Sequence, residues 1–416
     1  MIINYNDAAA EEKTNLGSYY TPRKLVERVY SYVDQYIKDD TVFADTAAGN
    51  GAFVDCAPLD YKFIATDINE EAVSNLTKLR RPELSVFQNN SLWTLGRTSL
   101  DLGVDQHLIL VGNPPYNDVT SKNKRSEKTE KMQISPKISS RDYGISFLRS
   151  YDALRADVVC VLHPLSYLIK ETNFKQLREF SVNYKLKKAC VFSSALFPDT
   201  RGTKFPIIVG LYERDAWGMD YEYIRNFRFD ILESERQFML SNVTTIDGVI
   251  RKYPPTKNDP KVSDIGLYFY SVRDSNSLIS SANFSEKEKF NVQITVNFSD
   301  FYKYAYLSCY KRYMEKDYLF GNVSPLVDVE DLDDKEFQAI CMIDTVLNNS
   351  KIYVFSDVEF LSRIRRKIDE SIDLNNLKNK DFQEVLSLFL SGEAIDNKVF
   401  ASYLENYFLE LKSSML

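Results

Sequence analysis

The 416-residue chain is poor in the side chains that hold metals or carry covalent catalysis, with two histidines, His107 and His163, and five cysteines. Cys56, Cys160, Cys190, Cys309 and Cys341 are scattered without Cys-x-x-Cys spacing. That argues against a zinc site or a disulfide framework and leaves a reducing cytoplasm as the expected setting. No apolar run reaches the roughly 18 residues that a membrane span needs. The opening MIINYNDAAAEEK has neither a basic start nor an apolar core, so no signal or transit peptide is expected. Although Glu11 and Lys13 form an acid–base pair after Asp7, the residues before Gly17 are too few for a nuclease fold.

Charge is unevenly spread. The net charge is −7, but residues 321–416 hold 18 acidic and 10 basic side chains, so residues 1–320 are near neutral at +1. Within that part, 117–144 carries Lys122, Lys124, Arg125, Lys128, Lys131, Lys137 and Arg141 against four acids, a local excess of +3. This stretch reads either as a set of phosphate contacts or as a solvated charge run.

Apolar runs alternate with helical patterns through the first half, the signature of an α/β fold with a mostly parallel sheet. Strands are expected at Thr41–Asp45, Lys62–Asp67, His107–Val111, Asp157–Leu162, Lys187–Phe192 and Pro206–Tyr212. Thr21 and Pro22 read as N-cap and first residue of a helix carrying Leu25, Val26, Val29 and Val33 at helical spacing. Asn69, followed by Glu70 and Glu71, starts another that runs to Leu79. Periodicity fades after about Arg214, and a second domain is expected from residue 216. It contains the aromatic stretch Phe298–Phe320, the basic cluster Arg363, Arg365, Arg366 and Lys367, and amphipathic helices at Phe382–Leu390 and Val399–Leu411.

Three segments carry candidate chemistry. After the first strand, Asp45-Thr46-Ala47-Ala48-Gly49-Asn50-Gly51 places two glycines where open α/β sheets bind ligands, although Val54 stands where a dinucleotide fingerprint would have its third glycine. The next strand ends in Asp67, which can accept from ribose hydroxyls or cap a helix, while Asp45 can accept from an amino group. Last, Gly112-Asn113-Pro114-Pro115-Tyr116 follows a buried strand. Tandem prolines make a rigid turn, and that turn carries an amide and an aromatic ring.

In this order, with Gly17-Ser18-Tyr19-Tyr20-Thr21-Pro22 ahead of them, the segments resemble the S-adenosylmethionine-dependent DNA adenine-N6 methyltransferases, whose cofactor motifs precede an NPPY motif. Tyr143–Leu148, Val161–Pro164 and Phe197-Pro198 are similar to later family segments, and the likeness covers about residues 17–212. It implies a Rossmann-like methyltransferase sheet at 1–215 and, at 216–416, a target-recognition domain of mixed α/β or mostly helical make-up. It implies cofactor contacts from Tyr20, Thr21, Asp45, Ala47, Gly49, Gly51, Asp67, Ile68, Asn90, Ser91 and Asn113. Asn113, Pro114 and Tyr116 would be catalytic, Phe197 would face the target base, and Lys122, Lys124, Arg125 and Lys128 would meet the DNA backbone. The implied partner is double-stranded DNA, with a separate restriction endonuclease if restriction occurs; neither metal nor membrane is called for.

Two positions depart from the family. Thr46 replaces a usual proline, and Gln88-Asn89-Asn90-Ser91-Leu92 lacks the acid that receives the cofactor's adenine. Rival readings are a methyltransferase acting on RNA or on a protein glutamine, and a silent DNA-binding subunit.

Overall fold

The computed structural model describes residues 21–116, 133–198, 204–280, 283–286, 292–348 and 358–416. The chain forms two compact units, Met1–Ser241 and Asn242–Leu416.

The first unit opens with α1 (Arg23–Val33), whose Leu25, Val26, Val29, Tyr32 and Val33 are buried. Pro22, not Thr21, occupies its cap position, and no side chain caps the helix. The core then alternates β1 (Val42–Asp45), α2 (Ala52–Cys56), β2 (Lys62–Asp67), α3 (Glu70–Thr77), β3 (Leu84–Gln88), β4 (Leu108–Gly112), α4 (Tyr143–Ala153) and β5 (Val158–Pro164). The strands β6 (Tyr184–Ser193), β7 (Pro206–Arg214), β8 (Phe229–Ile231) and β9 (Gln237–Phe238) complete one nine-stranded sheet.

Its order is β3-β2-β1-β4-β5-β7-β6-β8-β9. The strands from β3 to β5 are all parallel, whereas β7 runs antiparallel to both of its neighbours. Every residue of β1, β4 and β5 is buried, as expected for the centre of a sheet covered on both faces. The expected α/β class and parallel sheet are therefore present. The sheet unit extends past residue 215 because β8 pairs with β6 and β9 with β8. From β1 the chain winds outward to β3, then crosses back to β4 on the other side of β1. This reversal opens a crevice at the carboxyl ends of β1 and β4, the usual ligand position in open α/β sheets.

The second unit has a small antiparallel sheet of β10 (Leu267–Tyr270), β11 (Phe284–Ser285) and β12 (Gln293–Val296), in the order β11-β10-β12. Helices α5 (Phe301–Tyr313), α6 (Lys335–Asn348), α7 (Val358–Ser371), α8 (Phe382–Ser391) and α9 (Lys398–Ser414) follow. Tyr304, Tyr306 and Tyr310 are core residues of α5. Arg363 lies over the Phe298 ring at 4.3 Å, and Lys367 over Phe298 and Tyr302 at 5.3 and 5.5 Å. Among the described residues no helix is long and apolar enough to cross a membrane, and no cluster of three His, Cys, Asp or Glu side chains could hold a metal ion.

Candidate functional site

The turn after β1 is built by carboxylates that accept from backbone N–H groups. Asp45 Oδ1 accepts from Ala47 N at 3.1 Å. Asp67, at the end of β2, accepts from Gly49 N at 2.8 Å and from Asn69 N at 2.9 Å, so one side chain ties the glycine turn to the start of α3. Asn69 Oδ1 in turn caps α3 by accepting from Ala72 N at 3.1 Å. Each Asp67 oxygen keeps a second lone pair, so the carboxylate can still accept from a ligand hydroxyl.

The two glycines do different work. Gly49, at φ +50°, faces open space where a Cβ would be. Gly51, at φ +81°, is close-packed, and a Cβ there would lie 2.9 Å from Leu76 and 3.1 Å from Leu79. Gly49 thus offers open backbone, while Gly51 lets α3 approach.

Asp45 is 3% exposed. Burial pushes its carboxyl up to about 7; the Ala47 N–H pulls it down, and the nearby Asp67 charge adds to the rise. A bound ammonium beside it would reverse that effect. Asp45 also meets the catalytic candidate segment, because a Cβ on Gly112 would lie 2.8 Å from its Oδ1. The ends of β1 and β4 are therefore in direct contact at the crevice.

There Asn113 is half-buried and Pro114 and Tyr116 are buried. Asn113 Nδ2 donates to Thr21 Oγ1 at 3.2 Å, while its Oδ1 is buried and has no hydrogen-bond partner. Leaving such an acceptor unmet costs roughly 1–3 kcal/mol, so a native site that keeps one calls for an explanation. Tyr116 is seated on α4: a Cβ on Gly144 would lie 3.0 Å from the Tyr116 Cβ and 2.5 Å from the Tyr167 hydroxyl. Tyr167 donates to Asp142, whose Oδ1 also accepts from Gly144 N at 2.8 Å at the start of α4. Behind Tyr167 stacks His163, with ring centroids 5.4 Å apart, and its Nε2 lies 2.6 Å from the Tyr212 hydroxyl. Burial lowers the imidazole to about 4, so His163 is a neutral structural ring.

The remaining expected residues are placed as follows. Ser91 is buried, with its hydroxyl 3.1 Å from that of Thr66 on β2. Asn90 Nδ2 donates to Gln133 O at 2.9 Å and its Oδ1 accepts from Leu92 N at 3.1 Å, so this amide holds its own loop. The neighbouring Asn89 has a buried Nδ2 without a partner. Ile68 is 48% exposed directly after Asp67. Phe197 is 2% exposed with its ring 6.0 Å from that of Phe192, which places it in the core. Tyr20, Lys122, Lys124, Arg125 and Lys128 lie outside the described residues.

Sequence reasoning missed the Asp142–Tyr167 seat and Arg149. The guanidinium of Arg149, 3% exposed, donates to the carbonyls of Gln176, Ser139 and Ile138. An N-cap Asp followed by Tyr-Gly was the available signal for the seat. Nothing local marks Arg149, because its partners are scattered carbonyls.

No protein-family model matches the chain, and no curated protein matches it significantly. Solved structures similar to it include the type IIG restriction endonuclease BpuSI, at 18% identity and a TM-score of 0.38 over 51% of this chain and 27% of that one. The 23S rRNA methyltransferase ErmE is similar at 13% identity and 0.33, over 48% and 71% of the two chains. A dimethyladenosine transferase from Plasmodium falciparum is similar at 16% and 0.32, over 47% and 63%. At such identities and TM-scores nothing about substrate passes from these neighbours, and the fold assignment rests on this chain's own strand order.

Proposed function

We propose that the chain is a methyltransferase that uses S-adenosylmethionine to methylate N6 of an adenine in double-stranded DNA. The observation that carries this reading is the buried, unpartnered Oδ1 of Asn113 directly after β4, next to Gly112, which packs against the Asp45 carboxylate at the end of β1. An acceptor without a donor, held beside a candidate cofactor turn, suits a substrate that brings N–H groups.

The residues present fit the cofactor. Asp67 would take ribose hydroxyls, Asp45 the amino group and the open face of Gly49 a close approach, with Ile68 as apolar cover and Asn89 as a spare donor. When bound, S-adenosylmethionine supplies an electrophilic methyl group. The protein's part is to prepare the amine: Asn113 Oδ1 and the Pro114 carbonyl accept hydrogen bonds from its two N–H groups, disfavour the planar nitrogen and stabilise the positive charge that develops on it, until one N6 proton is lost to water. Pro114 and Pro115 hold both acceptors in place before the base arrives. A stacked base cannot reach such a site, so the adenine must be flipped out, and Tyr116 offers it a ring face. The basic stretch after Tyr116 supplies phosphate contacts, and the second unit would recognise the target sequence.

Expression in a host lacking adenine methylation, followed by sequencing that detects N6-methyladenine, tests the reading. A recurrent modified motif that disappears with Asn113→Ala supports it. Methyl incorporation into RNA or protein instead would redirect the same clamp to another planar amine or amide.

A further inference from the structure

Thr21 stands one residue ahead of Pro22, which occupies the cap position of α1. Thr21 is 5% exposed, and its hydroxyl accepts from Nδ2 of Asn113 across 92 positions of sequence. The consequence is chemical. A primary amide has a donor end and an acceptor end of nearly equal size, and only the acceptor end suits an amine. Turned over, Asn113 would face the N–H groups of an incoming amine with N–H groups of its own. With Nδ2 held, Oδ1 is left at the other end of the amide, buried and without a partner.

We propose that Thr21 is a positioning residue that anchors the nitrogen end of the Asn113 amide, so that the carbonyl oxygen at its other end is held in place to face the amine to be methylated. The assignment rests on the clamp reading above and differs from a cofactor contact, the role the family resemblance gives Thr21.

Thr21→Val keeps the shape and removes the acceptor, and Thr21→Ser restores it. The full chain would be assayed in single turnovers with labelled S-adenosylmethionine and unmethylated genomic DNA, both saturating. Affinity for S-adenosylhomocysteine would be measured by calorimetry, and the Asn113 side-chain amide followed by NMR of asparagine-labelled protein without ligand. Thr21→Val should slow methyl transfer about 10- to 100-fold, the scale of a misplaced catalytic group, with cofactor affinity within about twofold of wild type. One Asn113 amide proton should lose its hydrogen-bonded shift, and Thr21→Ser should recover both rate and shift. A wild-type rate in Thr21→Val, or lost cofactor affinity with an unchanged saturating rate, would overturn the proposal. Asn113→Ala is the separate control: full turnover there would remove the clamp itself, whatever Thr21 does.

Discussion

The ends of β1 and β4 touch, yet their polar groups are arranged in opposite ways. At β1 the carboxylates of Asp45 and Asp67 both accept from the backbone, Asp67 twice, and the turn is closed before any ligand comes. At β4 the Asn113 amide is tied at its nitrogen and open at its oxygen. One end uses its side chains to build the chain's own shape. The other leaves an acceptor unmet, which weakens the fold slightly and strengthens whatever brings a donor. A cofactor platform and a catalytic clamp should differ in this way, since a platform must pre-exist while a clamp must discriminate.

Mutations should separate the two ends. The largest effect on rate is expected for Asn113→Ala, about 10²- to 10³-fold slower methyl transfer by analogy with deleting one charge-stabilising group. Its thermal midpoint should change little, because removing an orphaned acceptor offsets the lost bond to Thr21; a marked fall would erase the contrast with β1. Asp67→Ala removes the acceptor of two backbone N–H groups and should cost roughly 2–3 kcal/mol of stability. Denaturant titration measures this loss, and calorimetry should show weakened cofactor binding in the same variant.

A smaller loss is expected from Gly144→Ala, about 1–3 kcal/mol for overpacking between Tyr116 and Tyr167. Its transfer rate should fall more than its cofactor affinity, which would place α4 on the clamp's side of the comparison. The mildest test is pH. Asp45 binds its proton more tightly in the folded protein, at about 7, than in the unfolded chain near 3.8, so its contribution to stability declines as pH rises through that window. An ammonium ligand needs the ionised form, so cofactor affinity should weaken as pH falls below about 7. Asp45→Asn should flatten both profiles, measured by thermal melts and calorimetry from pH 5 to 8.

How much of this was legible depends on how far each signal travels along the chain. The buried runs of β1, β4 and β5 announce themselves because every residue faces an apolar layer. Strand β3 is absent from the sequence-based strands because it lies at the sheet edge, half-exposed, and Leu84–Gln88 lacks a continuous apolar run. Strands β8 and β9 are too short to show a period, so the extension of the sheet past residue 215 leaves no signal in the sequence. Asn69 was readable as a cap because its partner lies three residues away. Thr21 looked like a cap for the same reason and is not one, because the helix begins one residue later with Pro22 in the cap position, and its partner is 92 positions distant. The tyrosines of Phe298–Phe320 read from sequence mostly as core rather than as base contacts, and Tyr304, Tyr306 and Tyr310 are buried on α5 accordingly.

The contact between Gly112 and Asp45 also bears on how this chain can vary. Any side chain at position 112 would enter the space of the Asp45 carboxylate, so the two positions form one heritable unit. In a library that randomises both, a larger residue at 112 should survive only beside a smaller one at 45. Such a pair would have exchanged the proposed ammonium acceptor for bulk, and a lineage that crossed that step could return only by restoring glycine at 112 before aspartate at 45.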